Sequence, residues 1–166
     1  MEATIPTLAP DLAVNGQSQL TVPAQIAGKD EILTSTFDVI GPFTNQLVWK
    51  SSDASPEDAI RAVVAAENAL LGWSATHPKE RRRILLQAAD ILWERREEIA
   101  AIWRSETGAN FGMSSGFVTP ATCDFIRSYA AQTTSIQGST PPTDIDGQNA
   151  LVTRVPIGVV LSVIPW

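Results

Sequence analysis

The sequence predicts an α/β chain that is mostly helical, with a short β-hairpin ahead of the helices and two strands behind them. Three observations carry this. Thr36–Ile40 and Gln46–Lys50 are runs of β-branched and aromatic residues on either side of Gly41-Pro42, a turn signal. Between Ser55 and about Ser135, apolar residues recur at helical spacing in three stretches. Gly158–Ile164 reads as apolar on both faces, as a strand at the centre of a parallel sheet does.

Residues 1–36 carry scattered Pro, Gly, Gln and Thr with weak periodicity, and read as an N-terminal extension to a domain over 37–166. Within the extension, Gln19–Val22 and Glu31–Leu33 read as short strands. The first helix starts cleanly. Ser55 is a natural N-cap, Pro56 suits the first helical position, and Glu57 and Asp58 put negative charge on the first turn. Ile60, Val63, Val64, Leu70 and Leu71 repeat near helical spacing, and Gly72 is expected to end the helix, with Trp73 packing just beyond. A second helix opens at Pro78 and is expected to run unbroken to Thr107, with Gly108 as terminator. Its apolar stripe is Ile84, Leu85, Ala88, Ile91, Leu92, Ile99 and Ile102; Arg81, Arg82, Asp90, Glu94, Arg95 and Glu98 take the other side. This helix is expected to pack on the first and on the third helix. Phe111–Val118, with its Gly and Ser, predicts a break. A third helix runs from Thr119-Pro120 to about Ser135, with Phe125, Ile126, Tyr129 and Ala130 as its apolar face. Gly138–Gln148 is a polar connection, and Ala150–Val155 and Gly158–Ile164 are the final strands, divided by Pro156.

Composition removes several classes of function. Of 166 residues, 44% are apolar, enough for a core, and 18% are charged, too few for a disordered polyelectrolyte. A net charge of −6 disfavours nucleic acid, whose phosphates require clustered Lys and Arg. One cysteine, Cys123, excludes an internal disulfide and a cysteine-based zinc site. The start of the chain has no basic segment before an apolar run, so no secretory signal is expected. No apolar stretch approaches the roughly 18 residues of a membrane span. The expected location is the cytoplasm.

Certain segments, in order, resemble the N-terminal part of the aldehyde dehydrogenase superfamily. They are Phe37-Asp38-Val39, Ser52–Ala66, Trp73-Ser74, Glu80–Leu85, Glu106-Thr107-Gly108, Arg154–Val160 and Ile164-Pro165-Trp166. The resemblance covers about residues 37–166 and leans toward the branch acting on aromatic aldehydes such as salicylaldehyde and vanillin. It implies a truncated aldehyde dehydrogenase fold with an incomplete Rossmann-like sheet, in which Gly158–Ile164 is the first strand of the nucleotide-binding sheet and Leu151–Arg154 belongs to the oligomerisation region. It implies NAD or NADP as cofactor. Family chemistry needs a cysteine thiolate, a glutamate base and an asparagine amide. The family's Asn directly follows its Pro-Trp, so the 166-residue chain is expected to be inactive alone. The alternative is a non-catalytic binding or regulatory partner of a full-length relative, paired through residues 151–164; a third reading is an unrelated small helical binding module.

The resemblance assigns cofactor contacts only to Ile164, Pro165 and Trp166. No catalytic or metal-binding residue is expected. Cys123 sits in a helix beside Asp124, whose charge disfavours a thiolate, so a structural role is expected. His77, before Pro78, is expected to cap a helix or lie on the surface. Gly108–Gly112 does not follow a strand and is read as a loop rather than a phosphate cradle. Lys79–Arg83 alternates with Glu80 and reads as a solvated face, while Trp49, Trp73, Trp93 and Trp103 read as core or interface anchors.

Overall fold

The computed structural model describes residues 20–164. Five short strands precede the helices. β1 (Thr21–Val22), β4 (Ser35–Gly41) and β5 (Gln46–Asp53) form one sheet in the order β1-β5-β4, with β1 parallel and β4 antiparallel to β5. β2 (Ala24–Ile26) and β3 (Lys29–Glu31) form a separate hairpin, whose tip places Ala27 at φ 54° and Gly28 at φ 74°. The hairpin predicted across Gly41-Pro42 is therefore present as β4–β5. Its turn closes through Asn45 N–H donating to the Gly41 carbonyl at 2.8 Å, and its register shifts between Val39 and Ile40. Of the two short strands predicted upstream, Gln19–Val22 is found as β1 over its described residues, with Gln19 outside them. Glu31–Leu33 instead ends β3 at Glu31.

Helix α1 (Pro56–Ala75) opens on a full capping box: Asp58 N–H donates to Ser55 Oγ at 3.2 Å, and Ser55 N–H donates to Asp58 Oδ2 at 3.1 Å. It does not stop at Gly72. The helix runs through Gly72 and Trp73 because no left-handed turn forms there, and it ends instead at an extended Thr76. Immediately afterwards His77 Nδ1 caps α2 (Pro78–Glu94) by accepting from Lys79 N–H at 3.3 Å. The single helix expected over 78–107 is two, because Arg95 at φ −95°, ψ 12° separates α2 from α3 (Arg96–Thr107). Gly108 ends α3 in the left-handed conformation at φ 70°, as predicted.

The break predicted over Phe111–Val118 is helical instead. Asn110 Oδ1 accepts from Met113 N–H at 2.8 Å and starts a single turn, α4 (Phe111–Met113). A π-turn at Ser114–Val118 then leads without interruption into α5 (Thr119–Gln132). Thr119 Oγ1 donates to the Ser114 carbonyl at 3.0 Å and stitches the wide turn closed, which is why Gly116 and two serines do not end the helix.

Packing follows small residues more than large ones. Of the two packings expected for the long helix, the one on the third helix is found, as α2 against α5, while α1 is not a main neighbour of α2. The fully buried side chains on these helices are Ala89, Ala100, Cys123 and Ala130, which let helix backbones approach closely. Of the predicted face of α5, Ala130 is buried, whereas Phe125 and Tyr129 point outward and are about two-thirds exposed. On α2 the buried position is Ala89 rather than its predicted neighbour Ala88. α1 buries no residue at all and leans mainly on β2. Among the tryptophans, Trp49 on β5 is core, while Trp73 and Trp93 stay partly exposed.

The final strands are not formed among the described residues. Ala150–Val155 makes one isolated pairing, Val152 with Ser139 (N–H···O 2.8 and 3.1 Å), and Gly158–Ile164 makes no ladder. A strand is stabilised by its neighbours, and a segment apolar on both faces has no strand character without them.

Candidate functional site

The segment to which the resemblance assigns cofactor contacts begins at the Val152–Ser139 pairing and runs, mostly exposed, to Ile164. Ile157 is 95% exposed and Ile164 is 72% exposed; Gly158 takes φ 124°, which a residue with a side chain adopts only under strain. Pro165 and Trp166 lie outside the described residues, so of the three assigned contacts only Ile164 has a described position. Two concave surfaces lie elsewhere: an open groove between the β2–β3 hairpin and α1, and a shallow one over His77, Lys79, Glu80 and Arg83. A dinucleotide needs a strand-turn-helix that aims N–H groups at its pyrophosphate. The described residues offer none, so they do not by themselves fit NAD or NADP.

The chemistry-bearing residues are each occupied by the fold. Cys123 is fully buried in α5. Burial pushes its thiol pKa up; Arg127 opposes that shift and Asp124 adds to it. A raised pKa and no access make it a poor nucleophile, in line with the structural role expected of it. His77 caps α2, as expected. Glu80 and Arg83 form a two-point ion pair at 2.6 and 2.9 Å, so part of the basic run neutralises itself. Gly108–Gly112 divides between the end of α3 and the start of α4: Gly108 closes one helix and Asn110 opens the next. Among the described residues, no three His, Cys, Asp or Glu side chains gather to hold a metal. Nor is any helix there long and apolar enough to cross a membrane.

Two arrangements went unread in the sequence. Arg104 donates to both Ser114 Oγ (3.0 Å) and Ser115 Oγ (2.9 Å), and its guanidinium lies 5.2 Å from the Phe111 ring centre, so α3 anchors the π-turn. Arg96 and Arg127 both lie over Trp93, at 4.8 and 5.8 Å, and Arg127 also pairs with Asp90 at 3.2 Å, tying α5 to α2. Neither has a sequence signal, because ten residues or more separate Arg104 from its serines and Arg127 from Trp93. Glu106, in the Glu-Thr-Gly motif, has its carboxyl pKa raised by desolvation, with the nearby Trp49 indole acting against the shift.

Residues 29–166 match the family model described as Aldehyde dehydrogenase family. The chain belongs to the aldehyde dehydrogenase family. It is similar to salicylaldehyde dehydrogenase of Pseudomonas putida, 37% identical over 131 residues, which cover 79% of this chain and 27% of that protein. It is 42% identical over 147 residues to vanillin dehydrogenase of Pseudomonas sp. (strain HR199 / DSM 7063), covering 87% of this chain and 30% of that protein. The fold is similar to the crystal structure of a salicylaldehyde dehydrogenase from Pseudomonas putida G7 complexed with salicylaldehyde. There the TM-score is 0.78 at 30% identity, over 84% of this chain and 29% of the other. It is similar also to PnpE in complex with nicotinamide adenine dinucleotide, at TM-score 0.70 and 32% identity over 76% of this chain and 26% of the other. The chain thus spans less than a third of the length of these relatives. Its helices and small partial sheet are the aldehyde dehydrogenase fold over that share, and the family relation to aromatic-aldehyde enzymes expected from the motif series is met.

Proposed function

We propose that this chain is part of an NAD(P)-dependent aldehyde dehydrogenase that oxidises an aromatic aldehyde to its carboxylate, and that the 166 residues alone carry no such activity. The aromatic substrate is supported by the identity of 37–42% to salicylaldehyde and vanillin dehydrogenases. The inactivity rests on one observation: the sole thiol, Cys123, is fully buried in α5 with its ionisation suppressed. Thioester chemistry on an aldehyde needs an accessible thiolate, a base for the hydrolytic step and N–H donors for the oxyanion. A bound dinucleotide would supply the hydride acceptor, and no step through it is assigned to the described residues. A cytoplasmic setting is in keeping with a lone reduced thiol, and a role in secondary metabolism belongs to the same proposal.

The test has two arms. The purified 166-residue chain, given salicylaldehyde and NAD+ or NADP+, produces no reduced nicotinamide above buffer; turnover would overturn the inactivity. A chimera carrying residues 37–166 of this chain in place of the matching part of the Pseudomonas putida salicylaldehyde dehydrogenase oxidises salicylaldehyde. A folded chimera that binds NAD+ but leaves every aromatic aldehyde unreacted would remove the substrate reading.

A second reading is favoured by the free backbone of 153–164. There the chain acts as a non-catalytic homo- or hetero-oligomeric partner of a full-length aldehyde dehydrogenase, adding residues 151–164 to a sheet edge of its partner. Co-purification with that relative supports it, and a monomer beside excess relative counts against it.

A further inference from the structure

We draw no further inference here: the strongest candidate, the open groove of about 380 Å³ between the β2–β3 hairpin and the apolar face of α1, lined by Ile26, Ile60 and Val64, is an unpartnered surface and nothing in the structure shows what covers it.

Discussion

Replacing Gly138 with alanine tests how the C-terminal segment is held. Its backbone φ lies outside the left-handed region, so alanine is not excluded by torsion. The obstacle is contact. A Cβ built at Gly138 would sit 2.2 Å from the Val152 carbonyl oxygen and 3.4 Å from its carbon. The first is far inside van der Waals contact, and the obstacle is backbone that cannot rotate away. The pairing of Ser139 with Val152 must therefore open, losing the two hydrogen bonds of 3.1 and 2.8 Å that root the segment. Each is a solvent-exposed bond worth about 0.5–1.5 kcal/mol net, so the pair contributes on the order of 1–3 kcal/mol. Since about 1.4 kcal/mol is tenfold, amide hydrogen exchange at Ser139 and Val152 should speed up about tenfold in Gly138→Ala. Protection in α2 and α5 should stay unchanged. Gly116→Ala, with no atom within 4 Å of the added carbon, is the control and leaves both amides as they were. Wild-type protection at Val152 in a folded Gly138→Ala protein would refute the reasoning.

Other outcomes follow from the same structure. Gly72→Ala, inside α1 with open space around the added methyl, should raise helix stability by about 0.5–1 kcal/mol and increase far-ultraviolet helical signal; a loss of signal would show that α1 does end at Gly72. Ser55→Ala removes the cap at the other end and should cost about 1 kcal/mol, read as helical signal lost from α1 first, since this helix buries no side chain. Asp58 ionises more readily than usual because the Ser55 hydroxyl, then the Ser55 backbone N–H, hold its carboxylate. Its folded pKa is depressed, so its contribution is complete above the ordinary carboxylate value and lost as pH falls through the folded one. Acid titration of α1 followed by circular dichroism should show this loss, and Ser55→Ala should shrink it. Cys123 should resist iodoacetamide in the native chain and react at once in denaturant; rapid native alkylation would mean that α5 opens readily.

Elements whose cause is local were legible in the sequence. Ser55 with Asp58, Pro78 after His77, and Gly108 at the end of α3 each fix a backbone atom through a neighbour within a few residues, so spacing alone locates them. What failed to read depended on distance in the chain. The π-turn at Ser114–Val118 is held from α3 by Arg104, and nothing in a Gly-Ser stretch announces a partner ten residues back. Arg95 divides α2 from α3 with no Gly or Pro to mark the place. The core was misread for a related reason. Side-chain size drew attention to Phe125 and Tyr129, but the fully buried residues on α2 and α5, which pack together, are the small Ala89, Cys123 and Ala130. The candidate site was legible only through resemblance. Its one described residue, Ile164, has no neighbour whose chemistry marks it.

The periodicity of α1 and the exposure of α1 disagree, and the disagreement has physical content. A hydrophobic stripe is a statement about which face a helix buries. Yet Ile60 is 63% and Leu71 79% exposed, and within Val155–Ile164 the side chains of Ile157 and Val163 are 95% and 87% exposed. Two groups of residues behave differently. α2, α3 and α5 bury their small residues against one another and need nothing more to be helical. α1 and 153–164 carry apolar sequence patterns that the described residues leave uncovered. The order of stability should follow that division, with α1 and the C-terminal segment exchanging amide hydrogens well before α2 and α5.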